Sequence, residues 1–179
     1  MENKSNNQNG NYGRFLAMIA VSMIIMYGLT YLNSYEIIGH ARFSETRVFM
    51  TLIMGGTMAI VMLLFMLQMY KSHKVNVAIF LGGAALILSG IYLVRSQITV
   101  NDVTYMEGMI PHHSIAILTS KRAGIEDQRV RELADGIIAA QEKEIKEMDW
   151  LIDDIHANGI AATEDAAAER PVPDFSAAP

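Results

Sequence analysis

Three uncharged apolar stretches set what this chain can become: Phe15 to Leu32 (18 residues), Val48 to Tyr70 (23) and Val75 to Val94 (20). At about 1.5 Å per residue each can cross a hydrocarbon core of about 30 Å. Backbone polar groups in lipid must be satisfied within the segment, so each is expected as a transmembrane helix, spanning 15–32, 48–70 and 75–94. Lys4 and Arg14 precede the first stretch, as in a signal peptide, but it is longer than a usual signal core and no Ala-x-Ala site follows Leu32. We read it as an uncleaved anchor. Residues 1–14, rich in Asn, are expected to form a disordered lead-in.

Charge divides the chain at the end of the third stretch. Residues 1–95 hold 7 Lys/Arg against 3 Asp/Glu, and residues 96–179 hold 7 against 16. An apolar, mildly basic anchor (15–95) therefore precedes an acidic, water-loving module (96–159) and an acidic tail (160–179), expected to be disordered. A basic nucleic-acid surface is excluded. Lys4, Arg14, Lys71 and Lys74 lie on one side of the spans, and Arg42, Arg47 and Arg95 on the other. The positive-inside bias favours a cytoplasmic amino terminus and an extracytoplasmic module, in a cell inner or plasma membrane.

The chain has no Cys and 13 Met, so soft-metal chemistry would have to use thioethers and imidazoles. Met50, Met54, Met58, Met62 and Met66 recur every four residues, a spiral ridge on an ideal helix. Such a row either fills irregular gaps between helices or relays a soft metal. No charged group or imidazole lies inside a span, which favours packing. The Gly55-Gly56 and Gly82-Gly83 pairs are expected at close helix contacts.

The module reads as two amphipathic helices, from about Asp102, as its cap, to Ser120 and from about Asp127 to His156, with Asn158-Gly159 as the stop. The break between them contains Gly124. Met106, Met109, His112 and His113 share an arc of about 120° on the first helix, and Met109 and His113 are one turn apart. Pro111 removes a backbone donor beside them, so a kink or restart is expected. On the second helix two polar residues, Gln141 and Glu144, interrupt the apolar seam within about 60° of its Met148, so Glu144 is either at the seam's edge or has a partner such as a cation; an antiparallel hairpin would bring Met106 opposite Glu142 and its neighbours. Imidazole with thioether suits copper better than calcium or magnesium; Cu(I) favours the Met set and Cu(II) the His set, with zinc less favoured. Two helices cannot bury both apolar faces in water, so a four-helix bundle made by two chains, or packing on the spans, is expected. His40 and Glu36, on the module's side of the spans, could supplement the site but are read as solvated loop residues.

The run Tyr105-Met-Glu-Gly-Met-Ile-Pro-His-His113, followed by Leu133-Ala134, Ile137-Ile138, Gln141, Glu144-Ile145, Met148 and Trp150, resembles the domain-of-unknown-function family 305. The resemblance spans about Asp102 to Ile152 and implies a ferritin-like helical fold, CopM-like copper binding and a role in copper tolerance. It implies Met106, Met109, His112, His113, Gln141, Glu144 and Met148 as ligand positions. The reading is then an all-α, membrane-anchored copper-binding protein, not an enzyme, that forms a homodimer and buffers copper or exchanges it with a transporter or chaperone. Two other classes compete: a structural membrane protein with a helical interaction module, and a ferritin-like metalloenzyme. A di-iron enzyme would need Glu-x-x-His pairs, which the sequence lacks.

Overall fold

The computed structural model describes residues 2–175; Met1 and residues 176–179 lie outside the described residues, as do the side chains of residues 2–11. Among the described residues there are six helices and no strand: α1 (Glu2–Leu29), α2 (Glu45–Phe65), α3 (His73–Ser96), α4 (Asp102–Arg122), α5 (Gln128–Asn158) and α6 (Glu164–Glu169). The chain forms two compact units, one of Met1–Thr30 with Glu45–Thr99 and one of Tyr31–Ser44 with Val100–Pro179. The sequence boundary at residue 95 therefore needs one amendment: the loop between the first two spans belongs with the carboxyl-terminal module.

In the first unit Tyr12–Leu29, Glu45–Phe65 and His73–Ser96 are long and apolar enough to cross a membrane. Helix α1 starts at Glu2, so residues 2–14 of the lead-in expected to be disordered are helical. Extending an existing helix requires no new nucleus, and no Pro interrupts it. Glycine brings α2 and α3 together. A Cβ at Gly56 would stand 2.6 Å from the Gly83 carbonyl oxygen, and one at Gly90 would stand 2.7 Å from Ile53 Cγ1. Gly55 is covered by the Met23 side chain, whereas Gly82 faces open space.

The methionine row divides. Met58, Met62 and Met66 pack on a cluster that includes Tyr12, Phe15, Ile19, Ala59 and Leu63, while Met50, Met54 and Met69 are exposed. Beside that cluster a buried polar knot ties α1 to the α2–α3 connection. The Tyr12 hydroxyl donates to Asn76 Oδ1 (2.8 Å) and accepts from the Ser72 N–H (3.0 Å), and Asn76 Nδ2 donates to the Tyr70 carbonyl (2.8 Å). The Tyr12 and Tyr70 rings pack at 4.7 Å.

In the second unit α4 and α5 form a hairpin around Met106, Ile110, Ile117, Ile145, Met148 and Ile152. The cap of α4 is Asn101 and not Asp102: Asn101 Oδ1 accepts from the Thr104 N–H while Thr104 Oγ1 accepts from the Asn101 N–H. Helix α4 runs through Pro111 without the expected restart, and Pro111 is fully buried. Asp127 caps α5, which ends at Gly159 with φ of 80°, the backbone region glycine tolerates best.

The tail expected to be disordered contains structure. Thr163 Oγ1 caps α6, and Arg170 pairs with Asp154 at 2.6 Å and donates to the Gly159 carbonyl, bringing the chain back onto the end of α5. Composition alone hides such a tie, because one half-buried ion pair can order a short segment that has no core of its own.

Candidate functional site

His113 lies on the α5-facing side of α4 and is buried, unlike its neighbour His112, which is exposed. The helix itself orients the ring. Nδ1 donates to the Met109 carbonyl one turn back at 2.9 Å, and Nε2 points across the seam to Glu144 Oε2 at 2.6 Å. Gln141 Nε2, one turn before Glu144 on α5, donates to the same oxygen at 3.3 Å. Both ring nitrogens thus face acceptors, and the Glu144 carboxylate has two partners.

The thioethers lie in the adjoining apolar seam. Met106 and Met148 are buried in the α4–α5 core, and Met109 packs against it partly exposed. His112 stands edge-on to His113 with ring centroids 6.0 Å apart. The structure therefore brings His113, Glu144 and Gln141 into direct contact, sets Met106, Met109 and Met148 in the core beside them, and leaves His112 at the rim. Among the described residues no three of His, Asp and Glu converge in a way that could hold a metal ion. A metal here would draw on the thioethers for its remaining ligands.

The register of the hairpin differs from the expectation. Sequence spacing placed Met106 opposite Glu142 and its neighbours; the structure places Glu144 against His113 and packs Met106 in one cluster with Met148. Two features account for the offset. Helix α4 continues to Arg122, and the connection is extended at both Ala123 and Asp127, long enough to slide one helix along the other. Glu142 pairs instead with Lys121 at 2.7 Å. That hydrogen bond is the main reason the Lys121 ammonium is held above its ordinary pKa, and the Tyr35 ring lies under it at 4.4 Å.

Tyr35 belongs to the loop over 31–44, which grips the back of α4. The Tyr35 N–H donates to Ser114 Oγ at 2.7 Å, and His40 Nδ1 lies 2.9 Å from the same oxygen. The Ser114 hydroxyl thus serves the Tyr35 N–H and the His40 ring together, and His40 Nε2 lies 3.8 Å from Glu36 Oε2. Arg42 reaches Asp149 on α5 at 3.1 Å, and Ser44 Oγ closes over Gly108. Gly108, Pro111 and Ser114 form one ridge at three-residue spacing, and the loop meets both ends of it. The reading of His40 and Glu36 as solvated loop residues thus holds for exposed Glu36 and fails for His40. The loop carries no periodicity that could have announced these contacts.

Residues 102–174 match the family described as "Domain of unknown function (DUF305)". An uncharacterized protein of Acanthamoeba polyphaga mimivirus is 31% identical over 144 residues, covering 77% of this chain and 93% of that protein. That stretch is too long to fit within 102–174, so the likeness extends into the segment that carries the spans. No solved structure matches. The chain belongs to the DUF305 family, with the family domain built from α4, α5 and the segment after them.

Proposed function

We propose that the protein is a membrane-anchored copper-binding protein whose module buffers the ion or hands it on, without catalysing a reaction. The geometry of His113 carries the reading. A histidine that binds a metal through one ring nitrogen usually donates the other N–H to a carbonyl or carboxylate, which fixes the ring. Here Nδ1 is fixed by the Met109 carbonyl and Nε2 is aimed into the seam between α4 and α5. Met109, Met106 and Met148 line the same seam, and Gln141 and Glu144 complete its polar edge. Thioether and imidazole together select copper over harder ions, with zinc the less favoured guest. His112 at the rim suits entry or exchange of the ion.

An ion entering at Nε2 takes the place of the proton shared with Glu144, so binding is expected to release a proton. The charge bias around the spans supports an extracytoplasmic module in a plasma or inner membrane, where a copper transporter or chaperone is the exchange partner. The test is titration of the detergent-solubilised full-length chain with Cu(I), Cu(II) and Zn(II), because loop 31–44 is part of the module's fold. Met109→Leu and His113→Ala are each expected to weaken copper binding about tenfold or more. Unchanged affinity in both variants overturns the assigned site, and absence of any metal binding moves the protein to the structural class.

A further inference from the structure

The outer face of α5 carries an apolar stripe that its own chain leaves exposed. Leu133 is 64% exposed, and Val130 and Ile137 also stand in solvent. At about 100° per residue Arg129, Leu133, Gly136, Ile137, Ala140 and Glu144 share an arc of about 100°. A shallow groove of about 550 Å³ runs along the stripe, lined by Arg129, Leu133, Gly136, Ile137 and Ala140 among others. Glycine is disfavoured inside a helix, and nothing in this chain requires it at Gly136, where a Cβ would meet no atom within 4 Å. A bare position between Leu133, Ile137 and Ala140 admits close approach by a helix from outside.

We propose that this face is an isologous interface with a second copy of the chain, α5 lying antiparallel on its counterpart about a two-fold axis between Gly136 and Ile137. Each residue then meets the one equally far beyond the axis. Leu133 faces Ala140 of the partner subunit, Ile137 faces Gly136 of the partner subunit, and Arg129 faces Glu144 of the partner subunit. Large side chains meet small ones and a cation meets an anion at both ends, the self-complementarity that a two-fold contact demands. A parallel pairing would instead set like charges together.

Both charged residues have the capacity for this contact. The Arg129 side chain is 90% exposed and among the described residues bonds only to neighbouring Asp127, which can keep its cap on the Arg129 N–H when the guanidinium turns away. The hydrogen bonds from His113 and Gln141 both fall on Glu144 Oε2, so Oε1 is the oxygen that meets Arg129 of the partner subunit. Two hairpins joined in this way complete a four-helix bundle.

The chain contains no Cys, so single cysteines introduced into the full-length protein in its membrane report the contact directly. Gly136→Cys, beside the axis, is expected to oxidise mainly to a disulfide-linked dimer. Asp153→Cys, exposed on the same helix about 25 Å away, is expected to stay monomeric under the same oxidant. Adding Arg129→Glu to Gly136→Cys is expected to reduce the cross-link severalfold. Equal cross-linking at both positions, or no effect of Arg129→Glu, overturns the interface. An adduct of a different mass assigns the face to another protein, and a monomeric Gly136→Cys shielded from maleimide assigns it to the chain's own spans or to lipid; either result overturns the proposal.

Discussion

His113 and Ser114 are adjacent residues with opposite duties, set by the 100° turn between them. His113 faces α5 and meets Glu144, whereas Ser114, fully buried, faces the loop, accepts from the Tyr35 N–H and shares a hydrogen bond with the His40 ring. Neither contact is legible from residue type. A serine inside an amphipathic helix is as easily a neutral filler, and two neighbouring histidines give no sign of which one is buried. Replacing Ser114 with Ala leaves the Tyr35 N–H and the His40 ring without their partner in a half-buried place. We expect a loss of about 1–3 kcal/mol, read as a lower midpoint in thermal or denaturant unfolding of the module. Faster hydrogen exchange at the Tyr35 amide, with α2 and α3 unaffected, would locate the damage.

Among the elements, α2 and α3 show how little of a membrane contact depends on side chains with chemistry. Gly56, Gly83 and Gly90 face the neighbouring helix closely enough that any Cβ collides, while Gly82, one residue from Gly83, faces open space. Gly83→Ala puts a Cβ 2.8 Å from Ile60 Cγ1 and 3.0 Å from the Gly56 carbonyl, and is expected to weaken the pair by about 1–3 kcal/mol. Gly82→Ala is expected to be neutral or slightly stabilising, because alanine is the better helix former and meets nothing there. Unfolding in mixed detergent micelles separates the two; equal losses would contradict the packing.

Helix α5 offers a pH test at its first turn. The Arg129 side chain, and then its backbone N–H, hold the Asp127 carboxyl below its ordinary pKa of 3.8. A depressed folded pKa contributes stability above the unfolded value, and that stability disappears as pH falls through the folded value. The amides of Arg129 and Val130 should therefore lose protection in acid below about pH 4, by the usual carboxylate range. Asp127→Asn keeps a capping oxygen and should remove that pH dependence. An acid profile shared by both proteins would rule this cap out as its source.

For the whole molecule, the main finding is that the module is discontinuous in sequence. Residues 31–44 pack with α4 and α5 although the two long apolar helices α2 and α3 separate them in the chain. Replacing residues 35–43 with a Gly/Ser segment of equal length is expected to expose the ridge of Gly108, Pro111 and Ser114 and to increase hydrogen exchange over that turn of α4. The α2–α3 pair, in the other unit, should keep its exchange pattern. Unchanged exchange at 108–114 would mean that the loop only rests on the helix.

The sequence by itself determined the helical class, the three helices long and apolar enough to cross a membrane, the two module helices, most of their ends and the helix face on which Met106, Met109 and His113 lie. Those features follow from local rules, since span length, helical period, caps and glycine stops act within a few residues of one another. Tertiary structure alone decided the register of α4 against α5, the choice of His113 over His112 for the seam, the partner of Glu144 and the capture of loop 31–44. Each of these depends on groups distant in the chain coming together at hydrogen-bond distance. Two helices of the same pattern pack at several offsets, and only the complete set of buried contacts selects one.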